Sequence, residues 1–290
     1  MGFTAYNLSA RVTRSASCGF ETKSMAEVFT QQKERRAHES MIPKGINKRE
    51  CFDSESHPNT VPIVLGLDVT GSMRTIPHQL IKNGLPTLMS TVIQQGVPDA
   101  SLLFICVGDH EYDGYALQVG QFESGDAELD HWLTRSYLEG GGGGNAGESY
   151  LLAWYFAAFH TDIDSFNKRK KKGFLITVGD EPGLTTLPAS AIKEIMGSDQ
   201  AKSYTDVQLL EAAQKMYDVY HIVVLHSSGA SRSLPYWQNI LGQHCLTVDS
   251  ADEVAPKIAE LVYSNSEASF ESPKAAPSQK AKAEVTEEIL

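Results

Sequence analysis

Asp68, Thr70 and Ser72 alternate in the stretch DVTGSM, directly after the apolar run VPIVLGL. Gly71 allows a tight turn between the two hydroxyl residues, so one carboxylate and two hydroxyls can converge on a point. These are hard oxygen donors. A small octahedral cation such as Mg2+, or Mn2+, accepts that set and keeps water in its remaining positions. Two other apolar runs end on acids. SLLFICV (101–107) is followed by Gly108, Asp109 and His110, with Asp113 close behind. GFLITV (173–178) is followed by Gly179, Asp180, Glu181 and Pro182. Asp180 could complete the ligand set, directly or through water. Asp, Thr and Ser at a strand-to-helix turn can also be plain helix caps. The recurrence of acids at matching strand ends favours the site. A phosphate loop fails for want of GxxxxGK, and DVTGSM is not a GxGxxG fingerprint.

Such residues need a sheet to carry them. Val61–Leu67 is a short apolar run rich in β-branched residues, the pattern of a strand buried in a parallel sheet, and Ser101–Val107, Gly173–Val178 and His221–Leu225 read as further strands. Cys245–Val248 reads as a last short strand. Tyr115–Phe122 alternates, which predicts an edge strand with one wet face, antiparallel to its neighbour. Helical periodicity runs over Thr75–Gln95. Asp126–Leu138, Thr205–Val219 and Ala251–Tyr263 read as further helices, the last with Pro256 to tolerate. SYLLAWYFAAFH (149–160) is apolar nearly all round, so it predicts a helix buried on more than one side. The N-terminal arm is a candidate cover. The alternation predicts an α/β fold with a doubly wound, mostly parallel sheet, one antiparallel edge strand and helices on both faces. Ligands bind such sheets beyond the C-terminal strand ends. Three regions follow: an arm, 1–60, with a helix from Ser24 to Glu39 capped by Ser24; the α/β domain, 61–263; and a tail, 264–290, whose composition predicts disorder.

The motifs resemble those of von Willebrand factor type A (vWA) domains. In that Rossmann-like family a metal-ion-dependent adhesion site (MIDAS) is built from DxSxS or DxTxS, a residue of a second loop and an Asp of a third. The resemblance spans about Val61 to Tyr263. ITVGDEP is similar to the third-motif strand, which makes Asp180 the third-motif acid. The second loop departs from the commoner pattern: GGGGGNAGES (140–149) has no Thr. It resembles the branch, including integrin β chains, whose second loop supplies a Glu just before the next helix. Glu148 occupies that place and is the favoured ligand, while Asn145 could contribute a side-chain oxygen or hold the loop. The glycines then form a wall of the site rather than a linker, since a linker here would separate two halves of one sheet. Asp109 and Asp113 are candidates for an outer group or an accessory cation site, against the favoured reading of an ordinary acidic turn. His221 and His226 read as packing or capping residues, and Met73 as packing under its loop.

The resemblance implies binding rather than catalysis. A partner's Asp or Glu would fill the open position on Mg2+. It also implies an intracellular adaptor or assembly factor, possible company for an AAA+ ATPase system. The alternative is a metal-dependent hydrolase of phosphate esters with His110 as base, although no nucleophile–base pair is evident in the sequence. Composition narrows the partners. A formal charge of -11 over 290 residues argues against nucleic acid, which needs clustered cations. The one basic cluster, Lys168–Lys172, reads as a solvated ramp. A bound cation would reverse the local sign and let an acidic protein hold an acidic motif. Four scattered cysteines lack zinc spacing and suggest a reducing compartment. The N-terminal stretch lacks the apolar core of a signal peptide, and no apolar run is long enough to span a bilayer, so a cytoplasmic protein without membrane attachment is expected.

Overall fold

The structure is a computed structural model. It describes residues 4–141, 144–145, 147–199 and 201–266, with the backbone but not the side chain of Ser72. Nearly all of the tail predicted to be disordered lies outside the described residues.

Ten strands occur among the described residues: β1 (Arg49–Cys51), β2 (Val61–Asp68), β3 (Ala100–Val107), β4 (Leu117–Val119), β5 (Thr161–Ile163), β6 (Gly173–Gly179), β7 (Thr186–Leu187), β8 (Tyr204–Thr205), β9 (Tyr217–Val224) and β10 (Cys245–Val248). Six form the central sheet in the order β10-β9-β6-β2-β3-β4. All neighbours are parallel except β3 and β4. The pairs β1–β5 and β7–β8 stand apart.

Alternating strand residues feed two apolar layers, as the two-residue period requires. Ile63, Leu65, Leu67, Phe104, Cys106, Ile176 and Ile222 join one core with the helical stretch 75–94 and the helix Val254–Asn265. Val64, Leu103, Ile105, Leu175 and Val223 join the other with the helices Tyr150–Phe159, Ala189–Met196, Asp206–Ala213 and Ala230–Leu241. Helices therefore flank a mixed, mostly parallel sheet. Among the described residues no helix is long and apolar enough to cross a membrane. All four cysteines are free.

Several sequence expectations shift. The arm's main helix is Leu8–Cys18, which the polar sequence concealed. The span from Ser24 holds only two short turns, Met25–Val28 and Gln31–Glu34, although Ser24 does cap the first through a box with Glu27. β4 is shorter than expected and has no wet face. Leu117, Gln118 and Val119 are all buried, because Gln118 exchanges both amide bonds with the backbone of Tyr137. The helix expected to Val219 stops at Ala213, and β9 begins at Tyr217, whose buried hydroxyl meets Thr161 Oγ1 at 2.7 Å. The stretch from Thr75 is interrupted by a π segment, Leu80–Gly84. Pro256 is the third residue of its helix, in the first turn, where a missing N–H breaks no helical bond. The helix Tyr150–Phe159 is covered on its outer side mainly by Asp206–Ala213, with Ile46 and Cys51 of the arm in the same core.

Candidate functional site

β2 lies at the centre of the sheet, with β3 on one side and β6 on the other. The parallel pairing brings the C-terminal ends of β2, β3 and β6 to one rim of the sheet. Asp68 closes β2 opposite Val107 and is fully buried. Its Oδ1 accepts the Thr70 amide at 2.8 Å and the Thr70 hydroxyl at 2.7 Å. Its Oδ2 accepts the Tyr150 hydroxyl at 2.7 Å.

The second loop is laid against the first. Gly71, at φ 42°, donates its N–H to Gly141 O at 2.6 Å, and Gly140, at φ 66°, donates to Val69 O at 3.2 Å. Both backbones sit in the left-handed region that glycine enters freely. The loop's end is fixed from two sides. Glu148 N–H donates to Pro182 O at 2.9 Å, and Ser149 N–H donates to Gly108 O at 3.2 Å. Glu148 is thereby held between the rims of β3 and β6, and its Oε1 lies 3.0 Å from Thr70 Oγ1.

Asp68, Thr70 and Glu148 thus share one buried spot. The Thr70 hydroxyl has a single hydrogen but stands against two carboxylate oxygens. Only one contact can use that hydrogen, so the other needs a proton on Glu148 or a cation nearby. Glu148 Oε2 is buried with no hydrogen-bond partner. Burial pushes the Asp68 carboxyl up to about 7, while Tyr150 and Thr70 pull it down and Asp180 adds to the rise. Burial, then the Asp68 charge, pushes Glu148 up to about 9. Burial and the Asp68 charge raise the Tyr150 phenol well above its usual range. An orphaned carboxylate oxygen among hard donors fits a divalent cation. Among the described residues no three His, Cys, Asp or Glu side chains stand close enough to hold an ion by themselves. An ion here would therefore draw on hydroxyls and water as well.

Asp180 lies at the end of β6, buried, and its Oδ2 accepts Gly229 N–H at 3.2 Å. Its charge reaches Asp68, but no hydrogen bond joins the two. Ser72 follows in the turn Gly71–Arg74, and its side chain lies outside the description. Asn145 is turned elsewhere: it donates to Glu111 Oε2 at 3.0 Å and accepts Gly147 N–H at 3.3 Å. Asp113 accepts the Asp109 amide at 2.7 Å, and Asp109 accepts the Glu111 amide at 2.9 Å, so both carboxylates brace their own turn. Asp109 also lies 3.5 Å from the Ser149 hydroxyl, one residue from Glu148. Met73 is buried, His226 is exposed, and His221 is sealed in the core, stacked on Trp237 at 3.7 Å. Burial lowers the His221 pKa well below its usual value.

Two contacts were invisible to sequence reasoning. Tyr150 sits in an all-apolar helix, where nothing distinguishes a phenol that packs from one that donates. Gly229 follows β9 in the turn SSGAS, and its place at the rim was the available signal.

No protein-family model matches the chain, and no curated protein matches it. Among solved structures it is similar to the pilus adhesin SpaC from Lactobacillus rhamnosus GG in its open conformation, with 14% identity and a TM-score of 0.49 over 77% of this chain and 31% of that one. It is also similar to proximal thread matrix protein 1 from the mussel byssus, with 12% identity and a TM-score of 0.47 over 74% of this chain and 48% of that one. The chain spans under half the length of either structure, and no site residue is assigned from these likenesses.

Proposed function

We propose that the chain is a doubly wound, vWA-type domain with a MIDAS-like centre that binds a partner protein through a divalent cation. Asp68, Thr70 and Glu148 would hold Mg2+ or Mn2+, with Ser72 and Asp180 closing the set directly or through water. The bound cation supplies a Lewis-acidic position for a partner's Asp or Glu. The chain's part is to orient the oxygens and to keep competing water out of a buried rim. The observation that carries this reading is the meeting of Asp68 and Glu148 on the Thr70 hydroxyl, with Glu148 Oε2 left unpaired.

A hydrolase is the second reading, and one contact favours it: the Ser149 hydroxyl lies 2.7 Å from His110 Nδ1. The same hydroxyl accepts the His110 amide at 2.9 Å, and Ser149 is only 1% exposed. A hydroxyl so engaged fixes His110 and the start of the helix Tyr150–Phe159 rather than attacking a substrate, so this contact lends the hydrolase little and binding is preferred.

Affinity capture from a lysate tests the proposal, run in Mg2+ and in EDTA, with wild type and Asp68→Ala. The expected result is a partner, an adaptor client or an AAA+ assembly, retained only by wild type in Mg2+. Retention that ignores both EDTA and the substitution contradicts the reading. Phosphoester turnover dependent on Asp68 would establish the hydrolase instead.

A further inference from the structure

A cleft of about 530 Å³ opens between the helix Leu8–Cys18 and the π segment Leu80–Gly84. It shares no residue with the rim site. Arg11 is fully buried in its wall. The guanidinium is held on three sides: Nε pairs with Asp130 at 2.7 Å, Nη2 donates to Ile81 O at 2.5 Å, and the group lies over the Phe20 ring. Its Nη1 is buried without a hydrogen-bond partner, and so is the hydroxyl of Ser15, which is 7% exposed. Arg11 and Ser15 are four residues apart on one helix and share a face. Both line the cleft, with Lys82.

A buried donor left unpaired destabilises the fold, so native structures rarely leave two side by side. Arg11 and Ser15 on one wall and Lys82 on the other put three donor-bearing side chains, two of them cationic, around one cleft. An oxyanion seated between the walls would give the unpaired Nη1 and Oγ an acceptor, and charge-assisted bonds of this kind are strong. Glu21 also lines the cleft but is exposed, where salt and water screen it. Val12, Ala16 and Pro86 supply apolar wall beyond the donors.

We infer that this cleft binds a small organic molecule by its phosphate or carboxylate group, with the oxyanion on Arg11, Ser15 and Lys82 and the body against Val12, Ala16 and Pro86. The inference is independent of the metal reading. Calorimetric titration of the full chain tests it, with inorganic phosphate and separately with acetate. EDTA is present and ionic strength is held with chloride. Wild type, Ser15→Ala and Lys82→Gln are compared. Lys82 is partly exposed, so its variant should fold as wild type does. The expected result is saturable binding of at least one anion, weakened tenfold or more in both variants, with the unfolding temperature in chloride alone unchanged for Lys82→Gln and no lower for Ser15→Ala, which removes an unpaired buried hydroxyl. Tighter phosphate binding assigns the ligand to phosphate carriers, and tighter acetate binding to carboxylates. Absence of binding by either anion overturns the inference, as do variants that bind like wild type.

Discussion

At the scale of single residues, the site is a problem in hydrogens. Asp68 has three donors from two residues, while Glu148 has half of one, because Thr70 cannot serve both carboxylates at once. Without a cation, burial of the two acids, together with their like charges, lifts the carboxyls to about 7 and about 9, so the folded protein keeps protons here. The consequence for stability has a definite sign. Unfolded carboxylates release their protons near pH 4, whereas the folded pair holds them higher. Between those values the folded state binds more protons, so stability falls as pH rises from about 4 to 9. In EDTA the unfolding midpoint should drop across this window. Glu148→Gln should drop less, and Mg2+ should restore wild type most at the alkaline end. A thermal-melt series checks this, and identical profiles for wild type and Glu148→Gln would contradict it.

At the scale of elements, close approach at strand ends sets the site. A Cβ added at Gly179, the last residue of β6, would run into the Tyr150 hydroxyl and lie 2.9 Å from Asp68 Oδ2. Gly179→Ala should therefore displace Tyr150 from Asp68 and cost about 1–3 kcal/mol, the usual range for overpacking, as read by urea unfolding. A neutral substitution would mean that the helix Tyr150–Phe159 is more yielding than its packing suggests. Elements at this rim were legible in the sequence to an uneven degree. β2, β3 and β6 announce themselves because strands buried on both faces must be apolar throughout, and the acids that follow them stand out. Glu148 is legible through the glycine loop and its resemblance to a known branch, and its carboxylate meets Thr70. Asn145, the alternative ligand in that loop, is turned to Glu111. The helix Ala230–Leu241, whose preceding Gly229 meets Asp180, is not legible in the sequence because Pro235 interrupts its pattern. β4 misled because a buried Gln with both amide bonds filled by backbone is indistinguishable, in sequence, from an exposed one.

At the scale of the whole molecule, the arm is part of the fold. Arg11 and Arg14 of its first helix pair with Asp126 and Asp130 of the helix Asp126–Thr134. Phe20, Val28 and Phe29 enter one core, and Cys51 enters the other. Asp130→Asn leaves the buried Arg11 charge uncompensated. It should cost about 3–5 kcal/mol in denaturant unfolding, as breaking one side of a buried pair does. A loss under 1 kcal/mol would mean that the arm is not fastened there. The molecule is acidic overall, so the proposed binding of an acidic motif would depend on a cation at the rim. Calorimetric titration of EDTA-stripped, dialysed protein with Mg2+ and Mn2+, on wild type and Asp68→Ala, tests that dependence most directly. One saturable site that Asp68→Ala abolishes is the predicted result. No heat of binding in wild type, or equal binding in the variant, would contradict the account.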